Sequence, residues 1–452
     1  MISPAGGRKS NTVPLTVDFL VQPGAAVNGA IDVPGDKSIS HRALMIGAVA
    51  EGDTLIRGFL PSEDTEATLS ALHQMGVRID RPSATEVVVR GVGLYGLRAP
   101  AAPLYLGNSG TSARLLAGLL SGQNFDVQLQ GDESLMRQPM RRVTDPLRQM
   151  GADISCSPDG TPPVRIRGGA SLAGISYDMP VASAQVKSAL LLAGLYAAGA
   201  TCVREPATTR DHTERMLAVF GVHVSREANR ICVTGGTLTG RAIEVPGDIS
   251  SAAFFLVAAS IVPHSELLLR AVGVNPTRAA VIDILRSMGA SIERRNEREI
   301  SGEPVADLHV RHRPLRSVRI PRDLVSIAID EFPAILVAAA CARGETVLEG
   351  AAELRVKETD RIAAMAAGLQ AVGIEARPAP DGIRVRGGEL DGGEIDSRGD
   401  HRIAMAFAVA GLAARRPLRV RDCANVSTSF PGFADAFAAA GARIVLEQGR
   451  GG

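Results

Sequence analysis

The sequence has no tryptophan, and aromatic residues make up only 3% of its 452 positions. Any core must therefore be aliphatic and alanine-rich, and a hydrophobic content of 45% is enough to build large ones. There is no excess of either charge, with 49 Lys and Arg against 48 Asp and Glu. Such a balance gives no general attraction to nucleic acid or to a membrane surface, so an anion site has to be assembled locally by folding. Cysteine is scarce and unpaired in pattern: Cys156, Cys202, Cys232, Cys341 and Cys423 are odd in number and form no CxxC. That spacing predicts buried free thiols in a reducing cytosol, and neither a disulfide framework nor a zinc site. The longest apolar run, "SALLLAGLYAAGATCV" at 188–203, is short, broken by glycine and flanked by Lys187 and Arg204. It reads as a buried helix, not a membrane span. The opening "MISPAGGRKSNTVPLTVDFL" has no apolar h-region, so no signal peptide is expected and the location is expected to be cytoplasmic. Histidine and cysteine never fall at metal-ligand spacing. Lys37 in "GDKS" stands outside any GxxxxGK[ST] frame, so a nucleoside triphosphate is not indicated.

What the chain does have is repetition. "LHQMGVRI", "LRQMGADI", "LAVFGVHV", "LRSMGASI", "LQAVGIEA" and "FAAAGARI" each read as a helix ending in glycine and passing into a strand. Their glycines, Gly76, Gly151, Gly221, Gly289, Gly373 and Gly441, are 75, 70, 68, 84 and 68 residues apart. Apolar residues four and one positions earlier share a helix face, and glycine suits the left-handed position just past a helix. A second element also recurs six times, a polar or glycine-rich turn leading into a strongly apolar helix. It appears in "GDKSISHRALMIGAVA", "GNSGTSARLLAGLL", "ASAQVKSALLLAGL", "GDISSAAFFLVAAS", "IDEFPAILVAAACA" and "GDHRIAMAFAVAG". Each unit of about seventy residues thus holds an apolar helix that belongs inside and an amphipathic one that belongs outside.

Six such units exceed one core, and three plus three is the natural division. "IDVPGDKSIS" at 31 and "IEVPGDISSA" at 243 are near copies that mark the join. Residues 34–248 then form one domain. Residues 249–452 form the other, completed by residues 1–33, where "VNGAIDVP" reads as a strand. Crossings near 33–36 and 245–248 would make a hinge.

The structural duty of these turns does not explain their charges. Lys37, His41 and Arg42 follow the first copy, Gln185 and Lys187 open the third apolar helix, Asp330 and Glu331 the fifth, and His401 and Arg402 the sixth. Ser38 or Ser40 reads as the cap of the first. Charges at buried helix starts are costly without partners. They serve either interdomain salt bridges or a cleft that binds phosphate or carboxylate, where free N–H groups and helix dipoles assist. In "ELRVKETDRIAAM", Lys357, Glu358 and Arg361 are expected on the first turns of an amphipathic helix. In "TTRDHTERML", Asp211 and Glu214 form a candidate capping pair, which leaves Arg210 unexplained.

The motifs "GDKSISHR", "GNSGT", "ASAQVKSALLLAGL", "TRDHTE", "IDEFP", "LRVKETDR", "DHRIAMAF" and "TSFP" occur in the order found in the 5-enolpyruvylshikimate-3-phosphate synthase (3-phosphoshikimate 1-carboxyvinyltransferase) family. The chain resembles that family over residues 20–445, and "SAQVKS" and "IDEFP" resemble its class II bacterial branch. The resemblance implies a two-domain inside-out α/β barrel, each domain three βαβαββ units about a pseudo-threefold axis. It implies transfer of the enolpyruvyl group of phosphoenolpyruvate to the 5-hydroxyl of shikimate 3-phosphate, by addition and elimination through a tetrahedral ketal. No metal or organic cofactor is implied, and the expected state is a monomer inhibited by glyphosate.

By motif, the resemblance puts Lys37 on both substrates, with Ser38 and Arg42 on the shikimate carboxylate. Ser183, Ala184 and Arg210 fall at its phosphate and Gln185 at the ring and phosphoenolpyruvate. Asp330 becomes the base, assisted by Lys357, and Glu358 the proton donor to the methylene carbon. Arg361, Arg402 and Gly110 border phosphoenolpyruvate, and His401 orients that end. The residue before Pro139, commonly arginine in the family, is Gln138 here, so either the adjacent Arg137 replaces it or the site has one cation fewer. The segment "DCANVSTSFP" likewise lacks a lysine found in one branch of the family. Two other readings are an enolpyruvyl transferase acting on UDP-N-acetylglucosamine, against which the absence of a cysteine in "GDESLMRQPM" counts, and a non-catalytic phosphometabolite-binding protein, against which Asp330 and Glu358 count.

Overall fold

In the computed structural model, residues 16–449 are described. The reading of residues 1–15 as free of a leader lies outside them. All six repeat glycines follow a helix with φ between +84° and +98°. Glycine adopts that left-handed conformation at little steric cost, which is why the repeat is visible as a glycine pattern.

The strands form six sheets on one plan. In the first, Ala242–Glu244 runs parallel to Glu51–Arg57, which pairs antiparallel with Glu86–Val92, itself antiparallel to Arg78–Ser83. The fifth has three strands, and its fourth place is marked only by the parallel bridges Arg316–Arg343 and Arg319–Val347. Two sheets borrow strands from the start of the chain. Asn28–Ile31 lies parallel to Glu266–Gly273, so the strand expected in "VNGAIDVP" joins the fourth unit. A strand that the sequence did not predict, Thr16–Gln22, sits between Leu418–Arg421 and Arg443–Gly449 in the sixth.

Buried apolar side chains gather in two clusters. One runs from Ile39 to Val245; the other joins Phe19, Val21, Val27, Ile31 and Val33 to residues 249–444. We call the parts built on them the first and second lobes. The apolar helices are their centres, and every residue of Ile249–Ile261 and of His401–Leu412 is buried. Small residues let these helices approach closely. A side chain at Gly118, on Gly110–Leu120, would fall on the Ala189 carbonyl of Ala184–Gly194. Contacts of that kind need alanine and glycine, and explain how large cores form without tryptophan.

The two VPGD turns bind each other. The Asp36 amide donates to Pro246 O and the Asp248 amide to Pro34 O, both at 2.8 Å, and Gly35 faces Gly247. Each aspartate caps its helix: Asp36 accepts from the Ile39 amide and Asp248 from Ser250. The first apolar helix is thus capped by Asp36, not by Ser38 or Ser40. Both carboxylates are buried with Glu331, and Arg278 lies among the three, 3.9, 3.3 and 3.6 Å from them.

Three further readings are corrected. Cys202 and Cys232, read as free thiols, are disulfide-bonded; antiparallel register sets them opposite each other, which sequence spacing could not reveal. Lys357 and Glu358 precede their helix, which starts at Arg361 with Asp360 as cap. Asp211 and Glu214 make no capping pair: Asp211 binds Arg215 and Asn275, and Glu214 pairs with the wholly buried Lys187. Arg278→Met would leave three buried carboxylates without their shared cation and should cost about 3–5 kcal/mol. The deficit should shrink as pH falls and the carboxyls protonate, which denaturant midpoints across pH will check; a loss independent of pH would contradict the ion cluster as its cause.

Candidate active site

The lobes enclose a cleft of about 760 Å³, within the usual range for small-molecule sites. Its wall includes Lys37, Ser38, Gly110, Gln138, Ser183, Ala184, Gln185 and Arg210 from the first lobe. The second contributes Asp330, Lys357, Glu358, His401 and Arg402. Lys37 is the first residue of Lys37–Ala48, and His401 and Arg402 open His401–Leu412, so three of these groups sit at starts of buried helices. Asp330 and Glu331 lie in the turn before Phe332–Ala340.

Asp330 is the electrostatic centre. It pairs with Arg210 across the cleft, with Lys357 at 3.3 Å and with Arg361 at 3.4 Å, while its carbonyl accepts from Arg402 at 2.9 Å. Burial alone would raise its carboxyl, but Lys357, Arg210, Arg402 and Arg361 outweigh burial and hold it well below the usual carboxylate range. Glu358 accepts from Arg361 at 2.6 Å, so one guanidinium joins both acids. Against burial, Arg361 keeps Glu358 far below its ordinary value as well. His401 is pushed down to about 3, first by burial and then by Lys37, and is neutral at physiological pH. Lys37 reaches Asp64 at 2.8 Å, and burial raises that carboxyl despite the lysine.

Not every expected residue reaches the cleft. Arg361 is 1% exposed and stands behind the wall, fixed to Asp400 at 2.8 Å. Arg42 is also covered, held at 2.7 Å by Thr213 and Ser188 and at 2.9 Å by Ser38 O. Arg137 does not line the cleft: its side chain is 72% exposed and pairs with Glu133. Of the two residues before Pro139, Gln138 alone is on the wall. His41, counted with the charged helix start, is buried against Thr68 at 2.8 Å; burial, Lys37 and Arg42 hold it well below its ordinary value. Lys187 bonds Glu205 and Glu214, each at 2.6 Å, and supports the loop that carries Arg210 through Thr209 O.

Conversely, Arg114, Arg142, Asp64, Glu353 and Arg278 all line the cleft although no sequence motif marks them. Arg142 meets Glu353 across it at 3.0 Å, and Ser326 donates to Thr208 O at 3.1 Å. Arg114 had a usable signal, being a lone charge inside the apolar run "GTSARLLAGLL".

Two lobes of repeated α/β units closing on a cation-rich cleft define the class, the enolpyruvyl transferase fold. At 17% identity and a TM-score of 0.79, an enolpyruvyl transferase from Streptomyces tendae, NikO, shares that fold over 97% of this chain and all of its own. The family model for EPSP synthase (3-phosphoshikimate 1-carboxyvinyltransferase) matches residues 21–437, and the chain belongs to that family. It is 62% identical to the 3-phosphoshikimate 1-carboxyvinyltransferase of Nitrosococcus oceani over 436 residues, 96% of this chain and 98% of the relative. It is 60% identical to that of Alkalilimnicola ehrlichii over 437 residues, again 96% and 98%. A solved EPSP synthase from Acinetobacter baumannii is 53% identical, with a TM-score of 0.87 over 96% of this chain and all of that one.

Proposed function

We propose that this cleft transfers the enolpyruvyl group of phosphoenolpyruvate to the 5-hydroxyl of shikimate 3-phosphate and releases phosphate, as a step of the shikimate pathway. The observation that carries the assignment of roles is the joining of Asp330 and Glu358 by the single guanidinium of Arg361, with cations of both lobes around them. Arg210, Ser183 and Ala184 take the shikimate phosphate, Ser38 its carboxylate with Arg42 holding the Ser38 carbonyl from behind the wall, and Gln185 its ring. Arg402 and Lys37 face phosphoenolpyruvate beside Gly110 and Gln138. Arg361 acts from behind the wall, and Arg137 has no part.

In addition, Asp330 with Lys357 takes the proton of the 5-hydroxyl as its oxygen bonds to C2 of phosphoenolpyruvate. Glu358 delivers a proton to C3, and the product is a ketal bearing a methyl group. In elimination Glu358 takes back a proton from that methyl, the double bond re-forms, and the C2–O bond to phosphate breaks. Nearby cations alone keep both carboxyls ionised, which leaves Asp330 a weak base and Glu358 without a proton to give. Two polyanionic substrates supply the correction. Their negative charge engages the cations and raises both carboxyls, making Asp330 a stronger base and Glu358 able to hold a proton.

We further propose that residues 34–248 and 249–452, the latter completed by residues 1–33, act as domains that hinge at 33–36 and 245–248. Cations drawn from both would close them on the substrates. The working form is a cytoplasmic monomer. Among the described residues, no helix is long and apolar enough to cross a membrane.

Phosphate release with shikimate 3-phosphate, and none with UDP-N-acetylglucosamine, is the expected outcome for the wild type; the reverse would overturn the reading. Asp330→Ala should lose at least about 10²–10³-fold in turnover, and near-normal turnover would remove Asp330 from the chemistry. Glyphosate should compete with phosphoenolpyruvate. A methyl at Gly110 would meet Gln138 and, at 2.6 Å, Arg114 Nη1, crowding this end of the cleft. Overpacking of this kind costs about 1–3 kcal/mol, so Gly110→Ala should raise the inhibition constant roughly ten- to a hundredfold. Equal constants for the two proteins would show that the inhibitor lies elsewhere.

A further inference from the structure

Almost every cation of the cleft has a carboxylate. Lys37 has Asp64, Arg142 has Glu353, Arg210 and Lys357 share Asp330, and Arg278 lies among three acids. Arg114 is different. It is 7% exposed, it lines the cleft, and among the described residues no carboxylate stands within ion-pair distance of it. Its contacts are neutral acceptors: Gln185 Oε1 at 2.7 Å, Pro139 O at 3.3 Å and Gly110 O at 3.4 Å. Its Nε–H is buried without a partner. A guanidinium has five N–H donors, and a buried charge with neutral partners alone is costly. Burial and the nearby Arg142 push it down only to about 10, so it stays charged at physiological pH. Glu353 and Glu358 act on it at longer range.

Its surroundings say what the missing partner is. A side-chain carbon at Gly110 would touch both Arg114 Nη1 and Gln138 Oε1, so the cation and the neutral amide converge on one spot. Gln138 occupies the position where the resemblance expects an arginine. We propose that Arg114 binds the phosphate of phosphoenolpyruvate directly, supplying the positive charge that Gln138 does not. The inference rests on the functional reading above and adds to it a binding residue and its target. The carboxylate of the same substrate falls to Arg402 in the other lobe. That leaves the phosphate for the guanidinium beside Gly110 and Gln185, whose fork matches two phosphate oxygens.

The experiment compares Arg114→Gln, Arg114→Lys, Arg114→Gln with Gln138→Arg, and Arg137→Ala, in both reaction directions. Arg114→Gln should raise the Michaelis constant for phosphoenolpyruvate roughly ten- to a hundredfold. The constant for inorganic phosphate in the reverse reaction should rise by a similar factor, and that for shikimate 3-phosphate far less. Arg114→Lys, which keeps the charge and loses the fork, should fall between, and it carries the test if the glutamine variant fails to fold. Adding Gln138→Arg should recover much of the loss, and Arg137→Ala should change neither constant more than about twofold. Equal effects on both substrates, or none, in a folded variant would overturn the proposal. A raised phosphoenolpyruvate constant with an unchanged phosphate constant would also overturn it, by placing Arg114 on the carboxylate. A wild type that does not turn over shikimate 3-phosphate would instead sink the functional reading.

Discussion

The cleft is organised by one carboxylate that has more cationic partners than it can neutralise. Asp330 draws Arg210 from the first lobe and Lys357, Arg361 and Arg402 from the second, through its side chain or its carbonyl. Without it, four positive groups would face one another across a shared space. With it the lobes are tied together while the surplus charge stays available. A buried ion cluster of this kind adds little net stability, because desolvation offsets much of the attraction. Its value is in position, since it holds cations where two anions must arrive together.

On the proposed reading, the same arrangement keeps the acid and base quiet until the substrates bind. Asp330 and Glu358 share Arg361, and both are held below the ordinary carboxylate range. A base so depressed would abstract a hydroxyl proton poorly, and an acid so depressed would hold no proton to give. On that reading chemistry requires the substrates' own charge, and activation and binding are one event. Arg361 suits this work because it is anchored from behind by Asp400 and does not move to meet a ligand. The neutral His401 adds no competing charge at that end.

Much of this was legible in the chain. The glycine repeat could be read because a left-handed helix end is expensive for other residues, and six apolar helices could be read because each is buried in one of two cores. Lys37, Asp330, Glu358 and Arg402 were legible as charges at the starts of buried helices or beside them. What could not be read depended on register and distance. The Cys202–Cys232 bond follows from strand pairing, and Thr16–Gln22 enters a sheet whose other strands come about 370 residues or more later. Arg137 and Gln138 are neighbours in sequence, yet one faces solvent and the other the cleft. Arg114 lies inside an apolar helix whose burial alone accounts for the rest of its sequence.

The central claim is that substrate anions, by engaging the cations around Asp330, turn a suppressed carboxylate into a working base. Carbon-13 NMR of aspartate carboxyls, with Asp330 assigned by difference from Asp330→Asn, would follow its titration directly. The account predicts a higher Asp330 pKa in the complex with shikimate 3-phosphate and glyphosate than in the free enzyme. An Asp330 that titrates identically in both, or lower in the complex, would contradict it.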